Sequence, residues 1–341
     1  MSDKTHIEWT DATWNPVTGC AKVSQGCKHC YAERDWARLS AARPTPNAYT
    51  GRPFTDVQCH HDRLDQPLRW AKPRRIFVNS MSDLFHEDVP DEFIADVFAY
   101  MSYARQHSFQ VLTKRPARMA RLLSDPEWIT EAYDASLAIA HEDACEILGR
   151  RGEFSPFERK RGDIRAHDPV LPLANVWLGV SVEDQATADE RIPLLLQTPA
   201  AVRWVSAEPL LGPVDDLFGL IKDCQRMRDY GGGREFDPLP GVDWVVVGGE
   251  SGPKARPMHP DWARSLRDQC AAAGVPFLFK QHGEWISDED IDNCNLSSPE
   301  IADADQYFRV HDWPDRSQSY RIGKKAAGRL LCGKLHDEYP R

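Results

Sequence analysis

Residues 75–83, Arg75-Ile76-Phe77-Val78-Asn79-Ser80-Met81-Ser82-Asp83, open as a short aromatic and β-branched run and close in small polar and acidic side chains. An apolar run without alternation predicts a strand buried on both faces, and the polar residues after it predict a loop with work to do outside the core. The pattern repeats along the chain. It recurs at 109–113 (FQVLT) before Lys114 and Arg115, at 176–182 (VWLGVSV) before Glu183, and at 203–206 (RWVS) before Glu208. It recurs again at 244–247 (WVVV) before Gly248, Gly249, Glu250 and Ser251, and at 277–280 (FLFK) before Gln281. A further strand is expected at 7–10. Stretches of helical character at 90–105, 116–123, 185–196 and 260–273 lie between the runs, several opening with Pro or Asp as helix starts do.

Buried strands alternating with helices define an α/β class with a parallel sheet covered on both faces. A doubly wound open sheet would concentrate its functional residues at one switch point, whereas here successive strands all end in polar residues. That distribution favours a partial or complete parallel (β/α) TIM-type barrel, whose strand ends share one rim. The expected organisation is a barrel over residues 1–286, with helical insertions at about 126–174 and 213–242, and a small C-terminal extension over 287–341. A hairpin is expected around Gly323 and Gly333.

The chain has 341 residues, 41% hydrophobic and 28% charged, enough to bury a sizeable core. No apolar run approaches a membrane span and the opening MSDKTHIEWTD has no signal-peptide core, so a cytoplasmic protein without membrane association is expected. A formal net charge of −10 argues against a generally basic, duplex-coating surface. The basic stretches at 72–75 (KPRR) and 158–165 (ERKRGDIR) read as solvated faces or as a local groove.

Cys20, Cys27 and Cys30 form a C-x6-C-x2-C loop, Gly-Cys-Ala-Lys-Val-Ser-Gln-Gly-Cys-Lys-His-Cys, just before a helical run. The other six of the nine cysteines, Cys59, Cys145, Cys224, Cys270, Cys294 and Cys332, are scattered and read as ordinary thiols. Gly19 and Gly26 each precede a cysteine and free the backbone to wrap a compact inorganic core. Thiolates are the usual ligands of iron–sulfur clusters, and three of them leave one iron of a four-iron cluster open to a ligand. The alternative is a zinc site completed by His29, Cys59, His60 or His61, although zinc sites usually pair two short ligand spacings and no clean second pair is present.

The loop, its continuation Tyr31-Ala32-Glu33 and the strand series resemble the radical S-adenosylmethionine (radical SAM) superfamily. They resemble still more an uncharacterised phage-associated three-Cys-motif family within or near it, through NSMSDLFHE, VLTKRP, LGVSVEDQ, SAEPLLGP, VVVGGESGP and FKQHGEW. The resemblance implies that Cys20, Cys27 and Cys30 bind a 4Fe-4S cluster, with His29 near the adenine of S-adenosylmethionine. It implies reductive cleavage of S-adenosylmethionine and use of a 5′-deoxyadenosyl radical on a substrate the residues do not specify, a nucleic acid or nucleotide by association. A reductant such as flavodoxin or ferredoxin is implied, and a partner protein is left open. Two departures matter. The superfamily's common spacing is C-x3-C-x2-C, and its Gly-Gly-Glu signature ends the second strand, whereas Gly248-Gly249-Glu250 lies near the sixth.

Ser80, Ser82 and Asp83 are therefore the candidates for the methionyl amino group. Lys114 or Arg115 suits its carboxylate as a cation, with Thr113 as a neutral donor. Ser181 and Glu183 suit ribose hydroxyls. Gly248 and Gly249 permit close approach of a ligand, with Glu250 beside it, or merely turn the chain. Glu208, Lys280 and Gln281 are candidate substrate contacts. Trp9, Trp14 and Trp285 stack on a base or fill the core. Two other functions compete with the radical SAM enzyme: a zinc-stabilised nucleic-acid-binding or nuclease-partner protein, and a non-catalytic iron–sulfur protein.

Overall fold

Seven short segments have the burial that a covered parallel sheet demands. The computed structural model describes residues 5, 7–41, 46–150, 171–219, 241–294, 296 and 304–340. In chain order its first nine strands are β1 (Ala12–Trp14), β2 (Val17–Thr18), β3 (Gln58–Cys59), β4 (Arg75–Val78), β5 (Ser108–Thr113), β6 (Val176–Ser181), β7 (Val202–Ala207), β8 (Trp244–Gly248) and β9 (Phe277–Gln281). Seven of them join one sheet in the order β1-β4-β5-β6-β7-β8-β9. The pairs β1 with β4, β4 with β5, β7 with β8 and β8 with β9 are parallel. Helices Asp91–Tyr103, Pro116–Leu123, Gln185–Gln197 and Pro260–Ala273 alternate with these strands, giving the expected α/β sheet. Among the described residues β1 and β9 end the strand order.

One strand lies elsewhere than expected. Residues 7–10 form a turn, with the Thr10 amide donating to the Ile7 carbonyl, and the sheet begins at Ala12. Thr10 Oγ1 bonds the Arg75 carbonyl at 2.9 Å and Asp11 N bonds it at the same distance, so the turn is what brings Ala12 into register with Ile76.

The chain divides into two units. The first comprises Met1–Ala21, Asp35–Gly179 and Gln197–Val202. Its core is β1, β4 and β5 with the helix Asp91–Tyr103, in which Phe93, Ile94, Val97, Phe98 and Met101 are buried. The stretch expected to insert at 126–174 holds the helix Asp134–Gly149 after a π-turn at Ile129–Tyr133, while 151–170 lie outside the described residues.

The second unit comprises Lys22–Arg34, Val180–Leu196 and Arg203–Arg341. Its β8 is buried at all five positions, as continuous Val-Val-Val requires. Its helix Pro260–Ala273 opens with His259 as cap and closes on Gly274 at φ +68, where a left-handed residue suits glycine. Most of the second expected insertion, residues 220–240, lies outside the described residues. The tail forms an antiparallel sheet of β10 (Trp285–Ser287), β11 (Arg309–Asp312) and β12 (Gln318–Arg321). A separate hairpin pairs Leu331 with Lys334 across Cys332 and Gly333, both at positive φ, as a two-residue hairpin turn demands. Gly323 is no hairpin turn; it caps the short helix Lys324–Ala327. Among the described residues no helix is long and apolar enough to cross a membrane.

Candidate functional site

In the first unit, the stem of the cysteine loop is fixed before Cys20 is reached. β2 pairs β3, and Gly19, at φ +92, passes so close to the Asp56 carbonyl that a Cβ there would collide with it. Gly19 N donates to Met81 O at 3.2 Å and Cys20 N to Phe54 O at 2.9 Å. Ser80 Oγ donates to Asn15 Oδ1 at 3.2 Å and Ser82 Oγ to Val17 O at 2.8 Å, tying the loop after β4 to the same stem.

Asp83 is buried and its carboxylate is fully used. Oδ1 accepts from Phe85 N at 3.0 Å and Thr113 Oγ1 at 2.8 Å, and Oδ2 accepts from Lys114 N at 3.0 Å and Arg115 Nη1 at 3.2 Å. Arg115 in turn reaches the cysteine loop: Nη2 donates to Ala21 O at 3.3 Å and Nη1 lies 3.8 Å from Cys20 Sγ. Burial opposes the charged guanidinium, but Asp83, Cys20 and Glu87 outweigh it and raise its pKa.

In the second unit, Cys27 ends the 3₁₀ turn Gln25–Cys27 and Cys30 precedes the helix Tyr31–Leu39, its carbonyl accepting from Arg34 N at 3.1 Å. Cys30 therefore occupies the N-cap position, and the amides of Ala32 and Glu33 bond its sulfur as a capping side chain's acceptor would be bonded. Burial raises the pKa of the Cys30 thiol, and those two amides pull the other way. Ser24 Oγ lies 3.8 Å from Cys27 Sγ and donates to Glu183 Oε1 at 2.6 Å. Glu183 Oε2 accepts from Gly26 N at 3.0 Å, and Arg191 Nη1 completes the cradle at 3.3 Å while also bonding Ser181 O at 2.8 Å. A Cβ on Gly26 would run into the Glu183 carboxylate.

Glu250 makes a second anchor. It accepts from Arg256 N at 2.8 Å, Nε at 2.9 Å and Nη2 at 2.6 Å, and Arg256 Nη2 also donates to Gln25 O at 3.0 Å. Gly249 turns the chain: its missing Cβ would meet the His282 carbonyl, and its amide bonds Gln281 O at 3.0 Å. Ser181 Oγ bonds Glu208 O at 3.2 Å. Lys280 Nζ bridges both Glu208 oxygens at 2.7 and 2.9 Å, and Gln281 Nε2 bonds Glu208 Oε1 at 3.3 Å and Gly249 O at 3.1 Å. His29 and Lys114 are half-exposed.

Each unit thus brings together its share of the expected residues: Cys20 with Ser80, Ser82, Asp83 and Thr113 in one, Cys27 and Cys30 with Glu183 and Glu250 in the other. The acids that the sequence offered as ligand contacts are bonded within the protein. Asp83, Glu183 and Glu250 each pair with an arginine (Arg115, Arg191 and Arg256), and each pair bonds the cysteine loop or its backbone. Arg191, Arg256 and Ser24 carried no signal in the sequence. Trp9, Trp14 and Trp285 are buried, which is the core role rather than the stacking one.

The donor set suits thiolates. N–H groups approach the sulfurs of Cys20 and Cys30, and Ser24 Oγ lies 3.8 Å from Cys27 Sγ; burial raises the Cys30 thiol as it raises Cys59 and Cys270, to about 11 and about 12 in the last two. Of the four residues named for a zinc site, His60 Nε2 bonds Thr18 Oγ1 at 2.8 Å and His61 packs edge-on against Phe93 at 4.9 Å. Among the described residues, the group of three donor atoms within 4.8 Å of one another is His259, Asp261 and Asp315, which contains no cysteine. His259 Nδ1 accepts from Asp261 N at 3.2 Å as a helix cap, which leaves its Nε2 to donate to Asp315.

A family model described as Protein of unknown function (DUF5131) matches residues 4–340. No curated protein and no solved structure matches the chain.

Proposed function

We propose that this chain, which belongs to the DUF5131 family, is a radical SAM iron–sulfur enzyme whose Cys20, Cys27 and Cys30 hold a 4Fe-4S cluster. The observation that carries the reading is the C-x6-C-x2-C loop itself, with N–H donors at the sulfurs of Cys20 and Cys30 and acid–arginine pairs spent on holding the loop. When bound, the cluster and S-adenosylmethionine supply reductive cleavage of the sulfonium and a 5′-deoxyadenosyl radical.

The chain's own residues prepare the ligands. Burial raises the pKa of the Cys30 thiol, and its place at a helix N-terminus offsets part of that through the Ala32 and Glu33 amides. Glu183 sets the Ser24–Gly26 backbone, and Arg256 sets Gln25 between them. We assign Lys114 to the carboxylate of S-adenosylmethionine, His29 to the neighbourhood of its adenine, and the Glu208, Lys280 and Gln281 group to the substrate. The substrate class we assign is a nucleic acid or nucleotide, the electron source a flavodoxin- or ferredoxin-like protein, the architecture a partial TIM-type barrel and the location cytoplasmic.

The test is anaerobic reconstitution followed by reduction with dithionite in the presence of S-adenosylmethionine. About four iron and four sulfide per chain and formation of 5′-deoxyadenosine and methionine are expected. Alanine at any one of the three cysteines abolishes both, and Cys59→Ala and Cys332→Ala leave both intact. A colourless protein carrying stoichiometric zinc would overturn the assignment. A reduced cluster that forms no deoxyadenosine would reduce the protein to a passive iron–sulfur carrier.

A further inference from the structure

The sequence offered Arg115 as a cation for a ligand carboxylate, but its guanidinium is committed elsewhere. The side chain is 7% exposed. Nε is clamped by both Glu87 oxygens at 3.1 and 3.0 Å, Nη1 by Asp83 at 3.2 Å, and Nη2 by the Ala21 carbonyl at 3.3 Å. What remains of Nη1 is directed to Cys20 Sγ, 3.8 Å away. Asp83 is itself immobilised by Phe85 N, Thr113 Oγ1 and Lys114 N, so the guanidinium has little freedom to move.

We propose that Arg115 is a positioning residue that fixes Cys20 and makes the cluster easier to reduce. The proposal rests on the iron–sulfur reading of the cysteine loop. Hydrogen bonds and charge around a ligating sulfur are the protein's means of setting a cluster's potential, and adding an electron makes the cluster more negative. A fixed cation with an N–H directed at one sulfur stabilises that added charge. The two acids that share the guanidinium do not cancel it at the sulfur. Asp83 is spread over four donors, and the Glu87 side chain is 66% exposed and screened by water. The N–H that faces Cys20 is the nearest charged group these contacts present to the sulfur.

Glu87 supplies the complementary lever. It holds Nε on the far side of the guanidinium and can be neutralised without touching Cys20 or Asp83. Removing its charge leaves more of the positive field for the sulfur, so Glu87→Gln and Arg115→Gln should move the potential in opposite directions.

The experiment is a potentiometric titration of the reconstituted full-length protein, followed by electron paramagnetic resonance of the reduced cluster, with iron and sulfide measured on each sample. Wild-type protein without iron would sink the iron–sulfur reading and is seen before any potential is compared. In loaded Arg115→Gln the one-electron equilibrium is expected to shift against reduction by about tenfold, about 59 mV for one electron. Arg115→Lys, which keeps the charge but not the fork, should shift it less, and Glu87→Gln should shift it in favour of reduction. Full iron content with an unchanged potential in Arg115→Gln overturns the proposal. If Arg115→Gln does not load, Glu87→Gln decides, and an unchanged or lower potential there overturns the proposal as well.

Discussion

Gly26 is the residue at which the cysteine loop tolerates least, because the space its side chain would fill belongs to the Glu183 carboxylate. Glu183 is 1% exposed and bonded by Ser24, Gly26 and Arg191, so moving it would uncouple a buried ion pair. Breaking one side of such a pair costs about 3–5 kcal/mol. Gly26→Ala should therefore lose most of that and load little iron, whereas Gly241→Ala, with open space around it, should behave as wild type in denaturant titration. His60 gives a second residue-level expectation. His60 Nε2 and Thr18 Oγ1 share a hydrogen bond of 2.8 Å, and burial lowers the pKa of the ring to about 4 from 6.5. Because the folded state refuses a proton that the unfolded state takes up, stability is full above pH 6.5 and falls as pH drops toward 4. At 1.36 kcal/mol per unit the loss is about 3 kcal/mol. His60→Gln should flatten that acid limb of the stability–pH curve; an unchanged limb would place the acid sensitivity elsewhere.

At the scale of elements, the helix Tyr31–Leu39 and its cysteine cap make a unit in which the capping role and the proposed ligating role can be separated. Replacing Cys30 by Ser removes the thiolate but keeps a capping acceptor for the Ala32 and Glu33 amides, and Cys30→Ala removes both. A lost cap costs about 1 kcal/mol. Both variants should therefore lack iron, with the cluster-free alanine form less stable than the serine form by about that amount in urea titration. Equal stabilities would mean that the sulfur caps nothing. Much of the sheet was legible at this scale, since runs such as Trp244 to Val247 are buried on both faces and have no competing reading. β1 was not, because Ala-Thr-Trp is too short to show a period and the apolar Ile7 beside it serves a turn. The tail strands, such as Gln-Ser-Tyr-Arg, are polar and owe their pairing to partners distant in sequence. The cysteine loop was legible as a C-x6-C-x2-C spacing, because residue types at short spacing show in one dimension. The loop's supports were not. Glu183 with Arg191 and Asp83 with Arg115 meet only once strands and helices are placed, so the bonds these carboxylates make to hold the loop leave no trace in the sequence.

For the molecule as a whole, electrostatics decides how a nucleic acid could be held. The formal net charge is −10, and one of the three cations of the basic stretch at 72–75 is ion-paired within the protein. Arg75 pairs with Asp11 at 3.4 Å, and Arg74 lies over the Trp70 ring at 4.9 Å. The other basic stretch, 158–165, lies outside the described residues. A protein that neutralises many phosphates shows a steep salt dependence, with a slope of about −0.9 per phosphate contacted on duplex DNA. The charge pattern here predicts few such contacts, so a nucleic-acid or nucleotide substrate would be recognised by local groups such as Glu208, Lys280 and Gln281 rather than by a polyanion groove. Fluorescence anisotropy with a mixed-sequence duplex between 50 and 200 mM salt should give a slope no steeper than about −2 and affinity no tighter than the non-specific range of about 10⁻⁴ to 10⁻⁶ M. A slope near −6 would reveal a phosphate-binding groove and move the search for substrate contacts away from the strand ends and toward the basic stretch at 158–165.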